Sequence, residues 1–306
     1  MRISIIGAGN VGGLAAMRLA ESRVGDIILI DIAKGLAQGK SLDMDDARSL
    51  LKNHYHIRGS EDLSEVKNSD IIVVTAGFAR KPGMTREELA NKNAQVIKDI
   101  TLKIKQAAPA AILIIVTNPL DLMTRLALEV SGFSAQKVFG MGLTLDNARF
   151  TSLIAEELNV PVTDIDSFVI GSHGEGMLPL PGFTTIKGAP LTKFLDEPKC
   201  AELVKRTVQR GAEIVSLLGS GSAYFAPSAA IAELVRVIVK DEKRVLGVSA
   251  YLEKEYGLEG VCLGVPCRLG NAGIENIIEL ELSQQEKEAL LKSADSLKEQ
   301  YSRISA

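Results

Sequence analysis

The sequence predicts an α/β protein in two parts, an N-terminal doubly wound parallel sheet followed by a mixed α+β region. Three observations carry that expectation. Short β-rich runs alternate with helical patterns through the first half, those runs lack a period-two alternation, and a glycine-rich turn separates the first run from the first helical pattern.

Residues 3–6 form the first apolar run, residues 10–22 the first helical pattern, residues 26–32 the second strand and residues 35–51 the second helix. Further runs at 70–75, 111–117 and 138–141 are rich in Ile and Val, as strands covered on both faces require. The doubly wound part ends near residue 143, which divides the chain into residues 1–143 and 144–306. Beyond it come a helical pattern at 145–158 and shorter apolar runs broken by Gly and Pro between 164 and 190. Helical patterns return at 200–218 and 228–240, and Ser283 with Glu286 forms a capping box that opens a last helix carrying Leu290, Leu291 and Leu297. No flexible linker separates the parts, so they should pack tightly.

Composition narrows the function. The 306 residues include 35 basic and 38 acidic side chains, and a net charge of -3 gives no field to attract nucleic acid or a membrane surface. The longest apolar run, residues 110–116, is far shorter than the roughly 20 residues that span a bilayer. The N-terminus reads directly into a strand without a signal-peptide pattern, so a cytoplasmic location is expected. Cys200, Cys262 and Cys267 lack the spacing of a metal site, and no other cluster has it, so no metal is expected. Aromatic content of 4% without Trp argues against a base-stacking surface.

The turn Gly7-Ala8-Gly9-Asn10-Val11-Gly12 is a G-x-G-x-x-G between a predicted strand and helix. The first glycine makes the turn, the second lets a pyrophosphate reach the backbone, and the third lets helix pack on strand, as in a Rossmann dinucleotide-binding unit. Asp31 ends the next strand, where a carboxylate accepts hydrogen bonds from a ribose and repels an additional phosphate. NAD is therefore favoured over NADP, although the nearby Lys34 could soften that preference.

Arg80 and Arg86 sit on one loop after the run at 70–75. A guanidinium directs two N–H donors at one carboxylate, so two of them point to capture of a small dianionic acid. Thr85 and Glu88 form another capping box, which places Arg86 in a first helical turn where the dipole disfavours a cation by up to about 1 kcal/mol. Glu87 and Glu88 neutralising an ordinary surface Arg is the plainer alternative.

Asp146 and Arg149 share a helix face with Phe150 and Leu153. Charges beside apolar side chains are costly unless paired or bound to a ligand, which leaves a cleft or a structural ion pair as the two readings. His54 and His56 lie in a polar segment and are expected to be solvated. His173 lies among glycines, just after the strand-like residues 167–170. That suits a side chain presented at a cleft, though a single loop histidine is often only structural.

Taken together, these segments resemble the lactate/malate dehydrogenase family, most closely its lactate-dehydrogenase-like malate dehydrogenases. The likeness runs nearly end to end, through residues 7–12, Asp31, 38–43, 80–86, 117–119, 145–149, 171–174 and 221–224. It implies that His173 is the acid/base with Asp146 as its carboxylate partner, that Arg149 grips the carboxylate beside the reacting carbon, and that Arg86 polarises the substrate oxygen. It further implies that Asn118 hydrogen-bonds that oxygen, while Asn93, Val116, Thr117 and Asn118 contact NAD. Malate enzymes of the family carry Arg at the position of Arg80, where lactate enzymes commonly carry Gln. Family members form dimers and tetramers, so a homo-oligomer acting on a dicarboxylic acid is the expectation, with a cis bond possible at Asn118-Pro119. A lactate or broad 2-hydroxy-acid dehydrogenase is the alternative enzyme. A non-catalytic NAD-sensing module is the alternative of another class, and it would need residues 7–12 and Asp31 but not the arginines and His173 together.

Overall fold

The computed structural model describes residues 1–79 and 84–304, with Arg86 described for its main chain alone. Arg80 and the Arg86 side chain, both expected at the substrate, lie outside the described residues.

The first half builds a parallel sheet. In chain order it runs β1 (Arg2–Ile6), α1 (Asn10–Glu21), β2 (Asp26–Ile30), α2 (Leu36–Leu51), β3 (Ile57–Ser60), β4 (Ile71–Val74), α3 (Arg86–Ala107), β5 (Ile112–Ile115), α4 (Leu120–Ser131) and β6 (Val138–Gly140). The spatial order is β3-β2-β1-β4-β5-β6, so the chain reverses direction across the sheet between β1 and β4. In open α/β sheets such a reversal leaves a crevice beyond the carboxyl ends of the strands, where ligands bind. β4 and β5 are buried throughout, which is why their Ile and Val runs show no alternation. β3 escaped the sequence reading because only Ile57 is apolar in it, and an edge strand paired on one side needs no more.

The second half continues the same sheet. It comprises α5 (Gly142–Leu158), β7 (Ile165–Asp166), β8 (Val169–Gly171), β9 (Met177–Pro179), β10 (Thr185–Ile186), β11 (Ala189–Pro190), α6 (Glu197–Leu218), α7 (Phe225–Val239), β12 (Arg244–Leu252), β13 (Val261–Gly270), β14 (Gly273–Ile277) and α8 (Gln284–Ile304). β12 pairs antiparallel with β6 at Ser249 and Gly140, then with β13 along its length, and β13 reaches β8 through Gly264 and Gly171. The halves are thereby joined by backbone hydrogen bonds as well as by helix packing, since α7 lies on α1 and Arg18 Nε donates to Ser228 Oγ at 3.0 Å. Leu234, Val235 and Ile238 of α7 are core residues, whereas Leu217 of α6 is 81% exposed. The three cysteines are buried and free.

A smaller sheet, β11-β10-β7, flanks α5 and α6 and completes a second apolar cluster around Phe150, Leu153 and Leu203. The three helices expected at 145–158, 200–218 and 228–240 are present, each beginning about one turn earlier than its apolar pattern. Both capping boxes form. Thr85 Oγ1 accepts from Glu88 N at 3.0 Å while Glu88 returns to Thr85 N, and Ser283 with Glu286 does the same at the start of α8.

Candidate active site

The glycine turn is built for close approach. An added Cβ at Gly12 would sit 1.9 Å from Gly7 O, so helix and strand can meet only if that residue has no side chain. Around Gly9 the space is open, with no atom within 4 Å of where a Cβ would project. Gly9 caps α1 without a side-chain hydrogen bond, and the first turn contains no acid, so its N–H groups are left to an incoming anion. Asp31 follows β2 and spans the turn, accepting from Ala8 N at 2.6 Å and Ala33 N at 2.9 Å. These features fit a dinucleotide: a bare helix start for its pyrophosphate and a carboxylate beside it for a ribose.

From that turn, a series of hydrogen bonds crosses the carboxyl ends of β1, β4 and β5. Thr75 Oγ1 donates to Gly7 O at 3.0 Å, and Thr117 Oγ1 donates to Ala76 O at 2.7 Å. Val116 N donates to Val74 O at 2.9 Å, which sets the last residues of β5 in register with β4. Asn93 of α3 is 1% exposed, and its side chain is fully engaged. It accepts from Phe78 N at 2.7 Å and donates to Phe78 O and Asn118 O at 3.2 and 2.6 Å. The loop that leads to Arg80 and the segment bearing Asn118 are thus tied together by one amide. The Asn118-Pro119 bond is cis, as the resemblance implied.

Asp146 and Arg149, one turn apart on α5, meet His173 from the loop after β8. Asp146 is fully buried and accepts on both oxygens, from Arg149 Nη1 at 3.1 Å and from His173 Nδ1 at 2.7 Å. Neither sequence reading of Asp146 and Arg149 was complete, because the pair is an ion pair and also shares its carboxylate with an imidazole. A carboxylate can only accept, so Nδ1 carries the hydrogen and Nε2 is left for a second partner. Arg149 Nε is buried without a hydrogen-bond partner among the described residues, and the guanidinium lies against Gly211 of α6. An unspent cationic edge beside an imidazole is suited to a carboxylate ligand.

The proton affinity of His173 is set by opposing effects. Burial pulls it down, while the charge and hydrogen bond of Asp146 and the charge of Asp121 push it up, and the net result lies above the ordinary imidazole value. Gly142, at the start of α5, makes room for the ring, since a Cβ there would fall 2.9 Å from His173 Cβ.

Three further side chains hold this loop, and the sequence reading missed them all. Asp121, in the first turn of α4, accepts from His173 N at 2.8 Å and from Ser249 Oγ at 2.6 Å. Ser293 of α8 accepts from Ser172 N at 3.0 Å and donates to Gly176 O at 3.2 Å. A carboxylate within the apolar stretch Leu120-Asp121-Leu122-Met123 was a visible signal for Asp121. Serines in a strand and a helix carry no such signal.

A dinucleotide crevice at the sheet reversal, beside an imidazole paired with a carboxylate and flanked by a guanidinium, defines the class as nicotinamide-dependent dehydrogenases. The family models described as the NAD-binding domain and the alpha/beta C-terminal domain of lactate/malate dehydrogenase match residues 1–140 and 143–306, and the chain belongs to that family. It is 48% identical over 303 residues to malate dehydrogenase of Methanosarcina barkeri, covering 99% of both chains. Its structure matches malate dehydrogenase of Salinibacter ruber with a TM-score of 0.95 at 39% identity, covering 100% of this chain and 98% of that one. It also matches a lactate dehydrogenase of Cryptosporidium parvum, complexed with lactic acid and NAD, with a TM-score of 0.96 at 33% identity over 99% and 98% of the two chains. Among the described residues no helix is long and apolar enough to cross a membrane, and no three metal-ligating side chains gather.

Proposed function

We propose that this chain is an NAD-dependent malate dehydrogenase that interconverts (S)-malate and oxaloacetate, with His173 as the acid/base. The observation that carries the reading is the 2.7 Å contact of His173 Nδ1 with an Asp146 carboxylate that also holds Arg149. Backbone N–H groups in the turn formed by Gly7, Ala8, Gly9, Asn10, Val11 and Gly12 would hold the pyrophosphate, and Asp31 would take the adenosine ribose. Val116, Thr117 and Asn118, at the carboxyl end of β5, would contact the nicotinamide end. Asn93 serves that end by shaping the two loops on which its amide is spent. Residues 1–143 form the cofactor-binding domain, and residues 144–306 supply the acid/base pair.

When bound, NAD supplies the acceptor for the hydride that leaves carbon 2 of malate. His173 Nε2 takes the hydroxyl proton as the carbon–oxygen double bond forms, and Asp146 stabilises the resulting imidazolium. Arg149 pairs with the carboxylate next to the reacting carbon, which sets the substrate's orientation. Arg80 takes the distal carboxylate, Arg86 meets the charge on the substrate oxygen, and Asn118 hydrogen-bonds the same oxygen. In the reverse direction the protonated imidazole returns its proton to that oxygen.

The chain is further proposed to work in the cytoplasm as a homo-oligomer, a dimer or tetramer, without nucleic-acid or membrane partners. Steady-state rates with oxaloacetate and pyruvate, each against NADH and NADPH, test the assignment of substrate and cofactor. Oxaloacetate with NADH is expected to give the highest kcat/KM, and faster turnover of pyruvate would replace this reading with a lactate dehydrogenase.

A further inference from the structure

Asp121 is the second buried carboxylate beside His173, and the reaction steps proposed above give it no part. It is 4% exposed, and each of its oxygens accepts one hydrogen from the protein, His173 N–H on one and Ser249 O–H on the other. Burial pushes the proton affinity of Asp121 up, while the hydrogen bonds of Ser249 and of the His173 amide and the charge of His173 pull it down and favour the carboxylate. A carboxylate is costly to bury, and a Ser249–Asn pair would satisfy the same backbone amide with less desolvation. The charge is therefore the feature that needs explaining.

We propose that Asp121 is a positioning residue for His173, whose carboxylate anchors the His173 main chain and whose negative charge favours the protonated ring. The inference rests on the assignment of His173 as the acid/base. Among the described residues, the charged and titratable groups facing the imidazole are Asp146 and Arg149 from α5 and Asp121 from α4. β12 presents the neutral Ser249 and α8 the neutral Ser293, while the nearby Cys262 of β13 is held as a thiol by burial. Among these described groups, two carboxylates oppose one guanidinium. Asp146 sets the tautomer through the ring, whereas Asp121 acts through the main chain and its field. The anchor also links three elements, because Asp121 lies in the first turn of α4, just beyond Asn118-Pro119 and Leu120, and β12 and the loop after β8 converge on it.

The test is titration of the imidazole itself, independent of turnover. The chain has three histidines, and His54 and His56 are exposed, so proton NMR resolves His173 with two internal references. In Asp121→Asn, which keeps an oxygen for the His173 amide, the His173 midpoint is expected to move to lower pH while His54 and His56 stay fixed. The alkaline rise of malate oxidation should move with it, with the KM for NAD unchanged. A His173 midpoint equal to that of the native protein would overturn the proposal whatever happens to the rate. If Asp121→Asn fails to fold, carbon-13 NMR of the native protein labelled at aspartate decides, with Asp121 identified by its coupling to the His173 amide. An unprotonated carboxylate at neutral pH supports the proposal, and a protonated one ends it. Loss of turnover on malate by the native protein would refute the functional reading and leave this titration to be judged on its own.

Discussion

His173 shows how one side chain acquires a role from its neighbours. Its Nδ1 is spent on Asp146 at 2.7 Å, so any proton exchanged with a substrate passes through Nε2. His173→Asn removes that exchange but leaves the crevice at the glycine turn intact. It should bind NAD with native affinity while kcat falls about 100-fold or more, as stopped-flow and fluorescence titration would report. Near-native turnover would remove His173 from the chemistry. Oxidation needs the neutral ring and reduction the protonated one, and the proton affinity lies above the ordinary value despite burial, because Asp146 and Asp121 outweigh it. The optimum for malate oxidation is therefore expected at higher pH than that for oxaloacetate reduction, and coincident optima would contradict the assignment. Arg80→Gln removes one doubly hydrogen-bonded carboxylate contact, so kcat/KM should fall on oxaloacetate far more than on pyruvate. Equal losses on both substrates would take Arg80 out of substrate selection.

α5 delivers two of the three central side chains, and its register matters as much as its residues. Asp146 and Arg149 face the same way because they are one turn apart, and the helix is locked to the β7–β8 segment through Thr151, Ser167 and Asn147 at 2.7 and 3.0 Å. Its first residue, Gly142, sits against His173 Cβ and Leu120. Gly142→Ala would insert a methyl group 2.9 Å from His173 Cβ, and Leu120 can yield while the ring must turn. A kcat loss of about tenfold with unaltered NAD binding is expected, measured by the same assays. Unchanged kcat would show that the loop has slack. The loop's other restraints argue against slack, since consecutive amides of Ser172 and His173 are held by Ser293 of α8 and Asp121 of α4. Helices from both halves of the chain thus hold one short turn.

The continuous sheet makes the two halves one mechanical unit, with β12 joined to β6 and the His173 loop carried by β8 at the far side of β13. On the proposed role of His173, chemistry and stability are coupled through that side chain. Its folded proton affinity is raised, so protonation stabilises the fold. That contribution is fully present below the ordinary imidazole value and is lost as pH rises through the higher folded one. Melting temperatures of the native protein should decline across that window, and His173→Asn should flatten the decline. A parallel decline in the variant would assign the effect to other groups.

The parallel half was legible in the chain because each element there announces itself locally. Unbroken Ile and Val runs mark strands covered on both faces, and Gly7 and Gly12 mark a turn that only glycine can make. Asp146 and Arg149 were visible as charges on an apolar helix face. The second half was less legible, since β12 and β13 owe their pairing to residues far apart in sequence, and a lone β3 with one Ile offers no pattern. Residue types and local periodicity determined the sheet, the nucleotide turn and the candidate ligating groups, because those depend on sterics and burial within a few residues. Spacing could not pair His173 with Asp146, which the resemblance implied and the tertiary structure places at 2.7 Å, and only the tertiary structure decided that Asp121, Ser249 and Ser293 brace its loop. Those contacts join segments with no shared periodicity, and their geometry is fixed by packing across the whole sheet.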